Sequence, residues 1–210
     1  IALAEAAGCH IHVAHCSTAY CLDAVRRAKE RIAAGKAPQG FDVTVEVTPH
    51  HLSLAGTDAP MLRALVNPPL RSEDDRRALI DAIADGTVDV ISTDHAPHTS
   101  ADKAAGSPGF TGLETSFAVC HSVLCKKEGF PLTRLSELMS ARPAELLGLD
   151  AGLFKAGYDA DFVLVDPDEV WIVDSGSFHS KGRSTPQNGR ELVGRVHATF
   201  LGGRQVFALK

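Results

Sequence analysis

Residues 41–49 read FDVTVEVTP. Val43, Val45 and Val47 alternate with Thr44, Glu46 and Thr48, the period-2 pattern of a strand whose two faces meet different surroundings. Further on, residues 72–86, SEDDRRALIDAIADG, open on a Ser72 cap, carry acidic residues in the first turn where the helix dipole favours them, and stop at Gly86. The run TVDVISTD, residues 87–94, reads as another strand. Upstream, CHIHVAHC (9–16) is a short strand-like run, and residues 17–35 follow with apolar residues at helical spacing, a Ser17/Thr18 cap and a Gly35 stop. Strand and helix alternate at intervals of roughly forty residues, which points to parallel βα units rather than a meander or sandwich.

Between these units, APQG (37–40) reads as a turn, Gly56 and Pro60 as a loop, and NPPLR (67–71) as non-helical because of its adjacent prolines. A loop over 95–112 precedes two helical patterns, 113–129 and 131–149, the second interrupted at Pro143. Near residue 149 the pattern changes to short strands, ADFVLVD and EVWIVD, and a hairpin turning at Gly202-Gly203. The division expected is a βα unit over residues 1–148 and a small β segment over 149–210. The opening residues IALAEAAGCH read as the end of a helix, so the chain is expected to begin inside a fold.

A formal net charge of −5, from 21 Lys+Arg and 26 Asp+Glu, offers no basic footprint for nucleic acid and no polybasic membrane patch. No apolar run approaches the ~20 residues of a membrane helix, so a cytoplasmic protein is expected. The five cysteines form no Cys-x-x-Cys pair and read as reduced, packed thiols.

Three strands run into polar residues: His15, then Thr48-Pro49-His50-His51, then Asp94. In parallel βα folds the C-terminal strand ends converge on one mouth, where active sites are built. By alternation His15 shares a face with Ile11 and Val13, His10 and His12 point the other way, Thr44, Glu46 and Thr48 face inward, and Asp94 goes with Ser92 and Val90. A carboxylate at a strand end can hold a cation and exchange protons with water; a loop cap is the plainer alternative. A lone strand histidine is more often a hydrogen-bonded structural residue than a ligand, and His50 and His51 read as rim loop residues. The glycines of AAGSPGFTG (104–112) allow close backbone approach to a ligand, or simply a surface loop.

Read together, HVAHCST, VTVEVTPHHL, NPPLRSEDDRRAL, DGTVDVISTDHAPH and GLETSF resemble, in order and spacing, the C-terminal half of dihydroorotases. TDHAPH and NPPLR together are quite specific to this resemblance, whereas either alone is also similar to related amidohydrolases such as dihydropyrimidinases and allantoinases. The resemblance implies an α/β fold: strands six to eight of a (β/α)8 TIM-type barrel with a small β-sandwich tail. It also implies a zinc site of one or two ions and the reversible cyclisation of N-carbamoyl-L-aspartate to L-dihydroorotate in pyrimidine biosynthesis. Carried over position by position, His15 is a zinc ligand. The resemblance likewise implies that Asp94 is both a zinc ligand and the catalytic proton carrier, that Asn67 and His98 contact the substrate, and that Pro108-Gly109 contacts its ring through backbone. An aromatic is common where Pro108 stands. The resemblance leaves open a homo-oligomer or an association with aspartate transcarbamoylase, and a non-catalytic barrel homologue that binds a partner enzyme is the alternative from another class.

The family's His-x-His pair, bridging carboxylate and fifth-strand histidine would all precede Ile1. Zinc sites take three or four protein ligands, and two are assigned here. The purified 210-residue chain is therefore expected neither to bind zinc tightly nor to turn over substrate; stoichiometric zinc together with dihydroorotase activity in that chain would overturn this.

Overall fold

The computed structural model describes residues 1–57 and 65–209; Pro60 of the expected loop lies outside them. The elements run α1 (Ala2–Ala7), β1 (His10–Val13), α2 (Ala19–Ala33), β2 (Asp42–Val47), α3 (Pro49–Ser53), α4 (Glu73–Ala84), β3 (Val90–Ile91) and α5 (Ser100–Ala104). A helical layer follows, α6 (Ser116–Cys120), α7 (Leu132–Ser136) and α8 (Arg142–Leu147), then β4 (Phe162–Ile172), β5 (Glu191–Leu201) and β6 (Arg204–Ala208).

β1, β2 and β3 form a parallel sheet in that order, with His12 beside Thr44 and Glu46 beside Val90. Val43, Val45 and Val47 bury one face of β2 against Leu22 and Val25 of α2 and Leu79, Ile80 and Ile83 of α4. The other face carries Thr44 and Glu46, also buried, so the alternation read from the sequence matches the two surroundings. The helices start where their caps stand: Thr18 accepts from Cys21 N and Ser72 from Asp75 N, each such cap contributing about 1 kcal/mol. The end of the sheet away from the polar strand ends is tied by buried Asp89, which takes both Lys29 Nζ and Val45 N at 2.8 Å.

Several elements differ from the sequence pattern. His50 and His51 lie in a buried helix rather than a loop, because Pro49 is tolerated in the first turn and Thr48 caps it. The 95–112 loop contains α5, closed by a capping box between Thr99 and Asp102. Helical structure continues past Cys120 as a π-helical turn over His121–Lys127, and another over Glu137–Ala141 leads α7 into α8, so Pro143 falls in a first turn instead of breaking the helix. The two strands expected around Asp166 are one, β4, whose register shifts between Asp166 and Val170 accommodate Pro167. Among the thiols Cys16 and Cys120 are buried as expected, whereas Cys9 is exposed. No helix among the described residues is long and apolar enough to cross a membrane.

β4, β5 and β6 form one antiparallel sheet with β5 central. It docks through β5: His121 Nδ1 donates to Val193 O at 3.0 Å, and Ser122 Oγ accepts from Val193 N at 2.8 Å. Next to this contact Gly194 has φ +91°, and a Cβ there would fall 2.7 Å from His121 Nδ1. Gly194→Ala should lower stability by about 1–3 kcal/mol from backbone strain, with the contact adding to the loss; an unchanged urea midpoint would contradict this docking.

Candidate active site

β1 stops at Val13, and the chain turns through Ala14 and His15, whose φ of 51° is left-handed. Cys16 N then rejoins β2, donating to Glu46 O at 2.9 Å. Ile11 and Val13 meet the helical layer, so strict alternation would send His15 there too. The left-handed turn swings it onto the polar face of β2 instead, with Nδ1 2.6 Å from Glu46 Oε1. That corrects the expected grouping of His15 with Ile11 and Val13. His12, expected on the opposite face from His15, shares this one, its Nε2 donating to Glu46 Oε2 at 3.1 Å.

Asp94 arrives in the same way. Ser92 N donates to Val47 O at 2.9 Å, Asp94 has φ 47°, and Ala96 N is held by Phe110 O at 2.9 Å. Left-handed backbone at a residue other than glycine costs on the order of 1–3 kcal/mol and clusters at functional sites. Asp94 Oδ1 then lies 3.6 Å from His15 Nε2, and Oδ2 lies 3.5 Å from His50 Nε2. Burial raises the Asp94 carboxyl above its ordinary range; the neighbouring His15 works against this and Glu46 reinforces it. Burial, with His51 and His15 alongside, pushes His50 down to about 2, so it is a neutral imidazole, and its buried Nε2 has no hydrogen-bond partner among the described residues.

These donors suit a divalent cation. The 3.6 Å between His15 Nε2 and Asp94 Oδ1 is too long for a hydrogen bond. It is close to the roughly 3.4 Å that separates two ligands sharing a tetrahedral zinc at about 2.0–2.1 Å. Another set of metal-type side chains, Asp166, Glu169 and His197, meets on the tail sheet, but its members are already engaged. Arg195 and His197 pair with Glu169, and Asp166 Oδ1 accepts the backbone N–H of Asp168 and Glu169.

The other residues singled out from the sequence form a connected rim. His51, held neutral by burial at a pKa of about 4, accepts from the Thr48 hydroxyl and donates from Nε2 to Pro68 O at 3.0 Å, which holds the Asn67 segment beside α3. Gly109 N donates to Leu65 O at 2.7 Å, and Lys103 Nζ donates to Ser107 O and Gly109 O. Pro108 O takes the Nε2–H of His98 at 2.9 Å. Gly109, at φ +130°, passes so close to Ala96 that a Cβ would lie 2.6 Å from the alanine methyl. In this arrangement His98, Pro108 and Gly109 bond to the protein itself. His95, left without a role by the sequence, accepts Gly112 N and Leu113 N on Nδ1 and braces the loop.

Residues 1–206 match the family model described as the amidohydrolase family. The chain is 44% identical over 204 residues to a dihydroorotase of Clostridium botulinum (strain Eklund 17B / Type B), covering 97% of this chain and 48% of the relative. It is 43% identical over 213 residues to a dihydroorotase of Geobacillus thermodenitrificans (strain NG80-2), covering 99% and 48%. The chain thus spans about half the length of the curated relatives it matches. Among solved structures, the L-hydantoinase (dihydropyrimidinase) from Arthrobacter aurescens superposes with a TM-score of 0.88 at 28% identity, covering 100% of this chain and 48% of that one. The D-hydantoinase (dihydropyrimidinase) from Thermus sp. gives 0.88 at 25% identity, covering 99% and 46%. With three parallel strand ends carrying His15, Glu46 and Asp94 into one polar face and the family match running almost end to end, the chain belongs to the amidohydrolase family.

Proposed function

We propose that this chain is the C-terminal part of a dihydroorotase, with residues 1–148 contributing strands six to eight of a (β/α)8 barrel and residues 149–210 part of a small β-sandwich. The observation that carries the reading is His15 Nε2 facing Asp94 Oδ1 at the strand ends of a chain 44% identical to dihydroorotases. His15 and Asp94 would hold zinc, which when bound polarises the scissile amide carbonyl and acidifies the attacking water.

In the hydrolytic direction the ring C–N bond of L-dihydroorotate breaks and N-carbamoyl-L-aspartate forms. Asp94 takes the proton from the attacking water and passes it to the departing ring nitrogen. Its raised pKa shortens the gap in proton affinity that this transfer must cross. Running the same steps backwards closes the ring. Asn67 and His98, on the rim, suit the carboxylate that distinguishes this substrate from a plain dihydropyrimidine. While His98 Nε2–H is committed to Pro108 O, its Nδ1 meets a carboxylate favourably only when protonated. The Gly109 backbone engages the ring by exchanging its bonds to Leu65 and Lys103.

The likeness to solved dihydropyrimidinases favours a second reading, hydrolysis of an uncarboxylated cyclic amide. Assay of the complete protein on N-carbamoyl-L-aspartate, dihydrouracil and allantoin separates the two. The expected outcome is turnover of the first alone; preference for dihydrouracil would replace the dihydroorotase reading by the second. In the complete protein, Asp94→Ala should lower kcat by at least about 10²–10⁴-fold with an unchanged circular dichroism spectrum. Near-normal kcat would remove Asp94 from the proton transfer.

A further inference from the structure

We propose that Glu46 is the positioning residue of His15, fixing which ring nitrogen that histidine presents to Asp94 and to a metal ion there. Glu46 lies on the inner face of the central strand β2 and is buried. Both of its oxygens are turned to histidines. Oε1 lies 2.6 Å from His15 Nδ1 and accepts the His15 backbone N–H at 3.3 Å, while Oε2 accepts His12 Nε2–H at 3.1 Å. The His15 Nδ1 contact is close but off the line of a straight hydrogen bond.

Two features set this carboxylate apart from a structural ion pair. Among the described residues no lysine or arginine pairs with it, although a buried carboxylate is costly to keep without a cationic partner. A second carboxylate, Asp94, approaches the same imidazole from its other side. Two acids flanking one histidine leave an excess of negative charge that a bound cation would balance.

A carboxylate only accepts, and Glu46 Oε1 at 2.6 Å lies nearer the ring than Asp94 Oδ1 at 3.6 Å, so the proton of a neutral His15 is drawn to Nδ1, and Nε2 is left as a lone pair toward Asp94 Oδ1. The grip matters more here than in a regular strand, since His15 stands past the last ladder pair in a left-handed turn. His12 holds the other end of the lever. With Nε2–H on Glu46, its Nδ1 in the neutral ring accepts the Thr44 hydroxyl at 2.8 Å, and Thr44 Oγ1 in turn accepts from His10 Nε2 at 2.8 Å. With both oxygens so engaged, Glu46 orients His15 rather than acting as a metal ligand itself.

The activity arm of the test rests on the dihydroorotase reading; the metal arm does not. Zinc affinity of the complete protein is measured by competition with a chromogenic chelator for wild type, Glu46→Gln and Glu46→Ala. Glu46→Ala should bind zinc about 10–100-fold more weakly. Glu46→Gln, which keeps an acceptor oxygen but loses the charge, should fall between. In both, kcat should recover toward wild type as zinc is raised, with KM little changed. Wild-type zinc affinity in a folded variant overturns the proposal, as does loss of the fold in both variants or a wild-type protein that takes up no zinc. A wild type that binds zinc but prefers dihydrouracil refutes the substrate assignment and leaves the Glu46 comparison readable.

Discussion

The site depends on two left-handed residues at the ends of the parallel strands that flank β2. His15 and Asp94 leave β1 and β3 with φ of 51° and 47°, conformations that residues with a Cβ adopt only when the surroundings impose them. The surroundings do so on both sides of each residue. Before His15 the β1–β2 ladder is in register through Val13, and after it Cys16 N is fixed to Glu46 O. Before Asp94 the chain is tied to Val47 O, and after it to Phe110 O. The parallel sheet therefore sets the two strand ends on either side of β2, and the turns aim the side chains toward each other, a division of labour that regular strand geometry alone does not supply.

Once aimed, the side chains meet a polar face that is internally ordered. Thr44 and Glu46 take up His10, His12 and His15 along one side of the sheet, while Val43, Val45 and Val47 bury the other side among Leu22, Val25, Leu79 and Ile80. The apolar face makes the polar one affordable: a β2 packed by 0–1% exposed valines resists the slip that would exchange the two faces. A one-residue slip would carry the valines into the polar array and Glu46 into the helical layer. The same packing thus fixes the fold and protects the chemistry.

How much of this was legible in the sequence follows from where each signal resides. The faces of β2 were readable because strict alternation over six residues has one meaning. The placement of His15 was not, since alternation fails where the strand ends and nothing in VAHCS announces a left-handed φ. α3 was hidden because five residues are too few for helical periodicity. α5 was not hidden in the same way: Thr99 followed three residues later by Asp102 is a capping signal, obscured by the glycines that follow. The unbroken β4 went unread because Pro167 marks a break in most strands, and only the register shift permits it. Glu46 was seen as an inward residue, but its partners come from β1, and contacts 31 and 34 residues apart are invisible to a local pattern.

The tail sheet belongs to this arrangement in a way its composition conceals. The segment between β4 and β5 reaches back over the rim: Thr111 N donates to Ser184 O, Thr111 Oγ1 donates to Gly182 O, and Glu114 accepts the N–H groups of His179 and Ser180. Gln187 Nε2 donates to Ser53 Oγ at the far end of the helix that carries His50. One side of the rim, from Gly109 to Glu114, is thereby braced from the tail, and the other, where His51 holds Pro68, is joined to it through α3. The strand that follows this segment, β5, is itself anchored on His121 and Ser122. The strands set where His15 and Asp94 stand relative to each other; the tail helps to set where the rim stands relative to both.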